Sequence, residues 1–144
     1  MTHPVTLRID FVSDVSCPWC AVGLKALEEA IARIGDEIAV DLHFQPFELN
    51  PQMPPEGEDT DDQNVSAHDV LAEIAAEAGL DAAGARSILA SDAYAAAVRQ
   101  QEQLYLGRGI TAVPSVIVND RHLIQGGQPV ELFEQALRQA AGLA

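Results

Sequence analysis

Apolar and polar residues alternate over residues 5–12, and this period of two predicts a first β-strand. The apolar residues that follow recur at helical spacing and predict a helix ending at Gly35, a residue suited to the position just after a helix. These helical positions are Val22, Leu24, Leu27, Ala30, Ile31 and Ile34. Residues 38–47 again have the composition of a strand. Strand, helix and strand with short connections predict a βαβ unit with parallel strands and a right-handed crossover.

The rest of the chain changes from loop to helix and back to strand. Residues 51–65 contain prolines and a run of acidic residues, which predict a loop. Residues 66–108 are rich in alanine and helically spaced apolar residues, and predict several helices. Two short strands then follow, over residues 115–118 and 122–125, joined by a turn at Asn119-Asp120. A last helix begins at Pro129.

The predicted order is β-α-β, a helical stretch, and then β-β-α. We therefore expect a single domain with an N-terminal βαβ half over residues 1–50 and a C-terminal ββα half over residues 109–144. Between them lie the acidic, proline-rich loop of residues 51–65 and a helical insertion over residues 66–108. This is the element order of the thioredoxin fold, an α/β fold, with extra helices inserted after the second strand.

Charge narrows the range of partners. The chain of 144 residues has a formal net charge of −14, from 22 acidic and 8 basic side chains. Such a surface repels phosphate backbones and anionic lipid, so we expect neither a nucleic-acid nor a membrane partner. There is no run of about 18 apolar residues and no basic and apolar leader after the first methionine. We therefore expect a cytoplasmic protein.

The two cysteines, Cys17 and Cys20, are three positions apart. A disulfide framework would need more cysteines at wider spacing, and a bridge across so small a loop does little for stability. A structural zinc site needs four ligands, and the chain has no second pair of this kind. Its four histidines are scattered along the sequence. We expect no metal, and we interpret the cysteine pair as chemically active.

The helix that follows the first strand explains this activity. Pro18 suits the first helical position, which places Cys17 at the helix N-terminus, where unpaired N–H groups and the helix dipole favour a thiolate. Cys17 should be the more acidic and more exposed thiol and act as the nucleophile. Cys20, one turn further on, would resolve a mixed disulfide formed at Cys17. Pro18 and Trp19 lie between the two sulfurs and tune the balance between dithiol and disulfide.

A second element, Thr111-Ala112-Val113-Pro114-Ser115, precedes the predicted third strand. The trans form is the commoner state of X–Pro bonds, but thioredoxin folds place a cis-proline beside the cysteines. The element order therefore favours a cis bond between Val113 and Pro114. Pro114 would shape the wall of a substrate groove, and the backbone of Val113 could pair with an extended peptide.

Asp10 lies on the first strand, seven residues before Cys17. A partly buried carboxylate beneath the motif would relay a proton to Cys20, whereas a solvent-facing one would be an ordinary strand aspartate. Burial is not visible in a sequence, so both interpretations stay open. Asp14 is closer to the cysteines in sequence, and we expect it to cap or solvate the loop.

Several segments together resemble a known family. Residues 9–20 with the Cys17-Pro18-Trp19-Cys20 motif, residues 47–57, residues 66–98 and residues 111–114 are similar to the DsbA-like thiol–disulfide oxidoreductases of the FrnE branch. The resemblance covers nearly the whole chain. It implies a thioredoxin fold with an inserted helical domain, with Cys17 as the nucleophile, Cys20 as the resolving thiol and Pro114 as the cis-proline.

The chain departs from this family in one respect. Relatives have a longer helical insertion, and this sequence lacks its first part, in the region between Gly57 and Val65. Such a loss would expose apolar helix faces, which favours a homodimer.

Three functions are consistent with these features. The first is disulfide exchange with protein or small-molecule thiols and disulfides, which needs no cofactor beyond the Cys17–Cys20 disulfide. The second is a glutathione-dependent isomerase or transferase of the 2-hydroxychromene-2-carboxylate isomerase type, with glutathione as co-substrate. That group shares the architecture but typically has serine at the first position of the motif, so two cysteines favour exchange. The third is a non-enzymatic redox-sensing or binding module.

Overall fold

The structure is a computed structural model that describes residues 3–52 and 67–143. The acidic run and most of the predicted loop over residues 51–65 lie outside the described residues. The chain forms two compact units, one of Met1–Leu49 with Gln101–Ala144 and the other of Asn50–Gln100. The sequence predicted one domain with an insertion over residues 66–108. The boundary between the units follows Gln100, within the last helix of that segment.

The helices and strands follow the predicted order. In chain order they are β1 (Val5–Ser13), α1 (Pro18–Ile34), β2 (Ile38–Pro46), α2 (His68–Glu77), α3 (Ala82–Leu89), α4 (Ala95–Gly107), β3 (Ser115–Val118), β4 (His122–Gln125) and α5 (Val130–Ala140). A short 3₁₀ turn, Gly35–Glu37, joins α1 to β2. The positive φ of 59° at Gly35 explains why glycine ends α1.

The four strands of the first unit form one sheet in the order β2-β1-β3-β4. Strand β1 runs parallel to the edge strand β2, whereas β3 runs antiparallel to both β1 and β4. This confirms the predicted thioredoxin fold, in which a βαβ half and a ββα half share one sheet. Because β1 lies between two other strands, consecutive residues from Ile9 to Val12 are buried.

The two faces of the sheet have different coverings. On one face, Leu7, Ile9 and Phe11 of β1 pack with apolar residues of α1 and α5. The buried helix residues in this cluster are Leu27, Ala30, Ile34, Phe133 and Leu137. The opposite face packs a smaller apolar cluster, consisting of Val12, Phe47, Tyr105, Ile110 and Ile117. Val22, which the helical pattern assigned to the apolar side of α1, is instead 55% exposed.

In the second unit, α2 and α3 pack against each other. Helix α3 begins at a side-chain cap, because the Asp81 carboxylate accepts hydrogen bonds from the backbone N–H groups of Ala83 and Gly84, at 3.3 and 3.0 Å. Leu80, in the turn between the two helices, is 67% exposed. None of the helices in the described ranges is long and apolar enough to cross a membrane.

Candidate active site

Both cysteines lie at the start of α1, as predicted. Cys17 is the N-cap residue with an extended backbone, φ −94° and ψ 112°, and Pro18 follows in the first helical turn. The Cys17 N–H donates to the Asp14 carbonyl at 3.0 Å, and the Cys20 N–H donates to the Cys17 carbonyl at 3.1 Å. Both side chains are free thiols. The loop and the first turn thus hold the two sulfurs on one side of the helix N-terminus.

The environments of the two thiols differ. Cys17 is 9% exposed and Cys20 is 4% exposed, so Cys17 is the more accessible. Burial, helped by a hydrogen bond between the two cysteine side chains, outweighs the lowering effect of the Asp14 backbone and raises the pKa of the Cys20 thiol to about 11. At neutral pH Cys20 therefore keeps its proton. This is the state expected of a resolving thiol before the first step of exchange.

The surroundings of the motif are apolar and open. Trp19, between the two cysteines, is 70% exposed, and Val15 in the preceding loop is fully exposed. Such side chains have a hydrophobic cost in water unless a partner covers them. The exposed positions at the motif therefore mark a contact surface around the buried thiols.

The peptide bond between Val113 and Pro114 is cis, as the sequence predicted. Pro114 is fully buried and packs against α1, because a Cβ atom placed on Gly23 would lie only 2.8 Å from its Cγ atom. The Pro114 carbonyl accepts a hydrogen bond from the Gly126 N–H at 2.8 Å. Pro114 is therefore held beside the helix that carries the cysteines, and Val113 immediately precedes it.

The close approach at Gly23 predicts that Gly23→Ala destabilises the protein. Alanine would raise the helix propensity of α1 by about 1 kcal/mol, but its methyl group would collide with the buried Pro114 ring. Overpacking of this kind costs about 1–3 kcal/mol. Urea unfolding should therefore show a lower free energy of unfolding than in the wild type.

Gly127→Ala is the matched control for this prediction. A Cβ atom at Gly127 would have its nearest neighbour at 3.6 Å, the Trp19 carbonyl oxygen, which is an ordinary van der Waals contact. This variant should unfold at nearly the wild-type urea concentration. A Gly23→Ala protein as stable as the control would contradict the close packing of Pro114 on α1.

Asp10 takes neither of the roles considered for it. It is 1% exposed, so it is not a solvated strand aspartate. Leu7, Ile9 and Phe11 face α1, and successive strand residues point to opposite faces. The Asp10 carboxylate therefore lies on the face of the sheet away from the cysteine helix. This placement argues against the proton relay from Asp10 to Cys20.

Asp10 instead belongs to a polar group on that opposite face. Its carboxylate accepts two hydrogen bonds from the Arg8 guanidinium at 3.1 Å and one from the Gln45 side-chain amide at 2.8 Å. Gln101 donates in turn to Gln45 at 3.3 Å. Burial alone would raise the pKa of Asp10, but these hydrogen bonds and the Arg8 charge together hold it below its usual value.

The carboxylate beside the cysteines belongs to Asp14. Its Oδ1 atom accepts from the Ser16 N–H at 2.9 Å and its Oδ2 atom from the Leu49 N–H at 2.8 Å. Asp14 therefore caps the loop, as the sequence predicted, and also connects it to the segment after β2. Its negative charge contributes to the raised pKa of Cys20.

A groove of about 290 Å³ opens directly beside the two thiols. Its lining consists of Phe11, Ser13, Asp14, Val15, Cys17, Cys20, Ala21, Leu24 and Phe44. The rings of Phe11 and Phe44 meet edge to face with centroids 5.9 Å apart. Sequence reasoning missed Phe44, because only the register of β1 and β2 shows that it lies beside Phe11. Within residues 3–52 and 67–143, no group of three or more histidine, cysteine or acidic side chains is arranged to hold a metal ion.

Comparison with known proteins identifies similar sequences and folds. The sequence model of the family described as DSBA-like thioredoxin domain matches residues 8–62 and 58–138. The protein YwbO of Bacillus subtilis, described as uncharacterized, is 26% identical over 198 aligned positions that cover 92% of this chain and 96% of YwbO. The crystal structure of the probable DsbA oxidoreductase SCO1869 from Streptomyces coelicolor has a TM-score of 0.85. It is 24% identical, with 96% of this chain and 91% of that one covered.

A second similar structure is that of a 2-hydroxychromene-2-carboxylate isomerase, with a TM-score of 0.68 and 14% identity. The similarity covers 95% of this chain and 99% of the isomerase. At such identities the structural likeness shows the fold alone.

The comparisons also support a shortened insertion. The alignment with YwbO is 198 positions long and this chain has 144 residues, so at least 54 positions face a gap in this chain. The two family matches meet at residues 58–62. The two parts of the family match therefore join in the region between Gly57 and Val65, where the sequence predicted that the first part of the helical insertion is missing.

Proposed function

The chain belongs to the DSBA-like thioredoxin domain family, and from this premise we propose that it is a thiol–disulfide oxidoreductase that reacts through Cys17 and Cys20. One observation carries the proposal. Two free thiols share the N-terminus of α1, and the less exposed one, Cys20, has its pKa raised to about 11. The pair thus consists of the less buried thiol at the helix terminus and a second thiol that keeps its proton.

The first step of exchange takes place at Cys17. Cys17 is the N-cap residue of α1, and the species that attacks a disulfide is its thiolate. This thiolate attacks one sulfur of a substrate disulfide, so a bond forms between Cys17 and that sulfur. The substrate's own S–S bond breaks, and the second substrate sulfur leaves as a thiolate that takes a proton from water.

The second step takes place at Cys20. Cys20 loses its proton to solvent and attacks the Cys17 sulfur, which forms the Cys17–Cys20 disulfide and releases the remaining substrate thiol. The substrate gains two electrons and the protein loses two. Run in reverse, the same steps oxidise a substrate dithiol.

Residues around the pair orient the substrate. In this proposal Pro114, which packs beside α1, forms a wall of the substrate site, and the backbone of Val113 pairs with an extended substrate peptide. Trp19, 70% exposed, offers an apolar contact between the two cysteines. A proton relay from Asp10 has no part in this mechanism.

A second candidate is a glutathione-dependent isomerase. The similarity in fold to the 2-hydroxychromene-2-carboxylate isomerase supports it. The presence of both cysteines argues for exchange, because an isomerase that only binds glutathione needs no resolving thiol. Turnover of glutathione adducts by a Cys20→Ser variant would favour the isomerase.

Other expectations from the sequence stay predictions. These are the FrnE branch within the family, the cytoplasmic location and the homodimer. In a compartment where glutathione keeps the potential low, a dithiol of higher potential stays reduced. The predicted location therefore favours a reductase or isomerase role.

The reduction potential of the pair tests the proposed function. Trp19 is the only tryptophan in the chain, so its fluorescence follows the state of the adjacent cysteines in graded thiol–disulfide buffers. We expect one reversible two-electron transition, with two alkylatable thiols at one end and none at the other. The Cys20→Ser variant should show no such transition. Two free thiols in every buffer would rule out exchange.

A further inference from the structure

The groove beside the thiols lies on a different side of α1 from Pro114. Its helical lining consists of Cys17, Cys20, Ala21 and Leu24, which share one side of the helix at intervals of three and four residues. Gly23, which contacts Pro114, is not among the lining residues. The two cysteines therefore line the groove toward β2, and Pro114 packs on α1 outside it.

The described residues that line the groove are mostly apolar and include one acidic side chain. Phe11, Leu24 and Phe44 form its walls, and Phe44 is 59% exposed on the edge strand β2. The acidic side chain is Asp14, whose carboxylate oxygens already accept hydrogen bonds from backbone N–H groups. Within the described part of the chain, the lining therefore offers hydrophobic contact and a carboxylate, and no basic side chain that could pair with an anionic substrate.

The size and position of the groove limit what it can hold. At about 290 Å³ it is at the small end of ligand sites, which span roughly 300–1,000 Å³. One large side chain fits this space better than a whole tripeptide does. Because Cys17 and Cys20 line the groove, a group attached close to the substrate sulfur enters it when that sulfur reaches Cys17.

We propose that this groove binds a large apolar side chain next to the cysteine of a peptide disulfide, and that it makes such peptides the preferred substrates. The proposal rests on the proposed function and names the substrate class of the same site. An uncharged or cationic apolar segment suits both the phenylalanine walls and the net charge of −14. An anionic disulfide such as that of glutathione suits neither.

The test compares two blocked, uncharged peptides, each closed by an internal disulfide. They are identical except for phenylalanine or serine beside one cysteine. The rate constant for oxidation of the reduced protein by each peptide is measured by acid quenching and by mass analysis of alkylated thiols. We expect the phenylalanine peptide to react about tenfold faster, the effect of partly burying one large apolar side chain.

Two variants locate this preference in the groove. Phe44→Thr removes a wall while keeping a β-branched residue on the strand, and Val15→Ser changes a fully exposed side chain that has no packing to lose. In both, the ratio of the two rates should fall below about threefold. Leu123→Thr is the matched control, since Leu123 is 48% exposed on β4 at the other edge of the sheet. It should keep the tenfold ratio.

The outcomes separate this proposal from the proposed function. Equal rates with the two peptides, or an undiminished ratio in both groove variants, would overturn the substrate preference while leaving disulfide exchange intact. If neither peptide oxidises the protein and no small disulfide does so, the proposed function itself fails.

Discussion

Cys17→Ser is expected to abolish disulfide exchange, whereas Cys20→Ser is expected to stop it after the mixed disulfide with Cys17 has formed. Serine at the N-terminus of α1 has no thiolate, so the rate of substrate reduction should fall by at least about a thousandfold. In Cys20→Ser the first attack proceeds, but nothing resolves the bond to Cys17. The second variant should therefore accumulate a mixed disulfide with its substrate, visible as one added thiol mass per chain.

The different environments of the two thiols predict how the reduced wild type reacts with an alkylating agent. At neutral pH the first label should appear on Cys17, because Cys20 is more buried and its pKa is raised to about 11. Labelling of Cys20 should lag and speed up as the pH rises toward that value. Ser16→Ala is the control variant, since it changes the neighbour of Cys17 without removing a sulfur. A faster label on Cys20 would reverse the assigned roles.

Much of this site was predictable because its features are local in sequence. The strand, the cysteine pair and Pro18 follow one another within a short segment, and a helix that begins at Pro18 necessarily places Cys17 at its N-terminus. The cis bond before Pro114 followed from the element order. The helical middle of the chain was also recognisable from its apolar spacing, although its division into units was not.

The features that the sequence did not predict depend on strand register and on the face of the sheet to which a side chain points. Asp10 is near Cys17 in sequence, but alternation along β1 places its carboxylate on the other face. The uniformly apolar residues Leu7, Ile9 and Phe11 were a signal that α1 would cover their face. Phe44 could not be assigned to the site, because the pairing of β1 with β2 decides its neighbour and a shift of one residue would turn it away.

The buried Asp10 should matter for stability. In Asp10→Asn one carboxylate oxygen becomes an NH₂ group that cannot accept a hydrogen bond. At the Oδ2 position this group faces one Arg8 donor, and at the Oδ1 position it faces the donors of both Arg8 and Gln45. Leaving buried donors without an acceptor costs about 1–3 kcal/mol. Because Arg8 is half-exposed, its guanidinium can turn to water, and the loss in the free energy of unfolding should stay within this range. Urea unfolding at neutral pH measures the loss. Asp120→Asn is the matched control, since that aspartate pairs with Arg108 at 3.3 Å but is 58% exposed.

The pH dependence gives a sharper test of the same group. The folded state holds the pKa of Asp10 below its usual value, so its carboxylate stabilises the protein above the unfolded pKa of about 3.9. That contribution is lost as the pH falls from there through the lower folded pKa. The stability difference between the wild type and Asp10→Asn should therefore shrink as the pH is lowered from 5 toward 3. A constant difference would contradict the ionised, hydrogen-bonded state of Asp10.

The same variant separates a structural role from a catalytic one. Because Asp10 faces away from the cysteines, folded Asp10→Asn should keep the wild-type exchange rate and its pH profile near neutrality. A proton relay would instead require a slower second step and a build-up of mixed disulfide. If folded Asp10→Asn accumulated mixed disulfide as Cys20→Ser is expected to, the placement of Asp10 on the opposite face of the sheet would be wrong. A lower free energy of unfolding with an unchanged exchange rate would show that Asp10 stabilises the sheet and takes no part in the reaction.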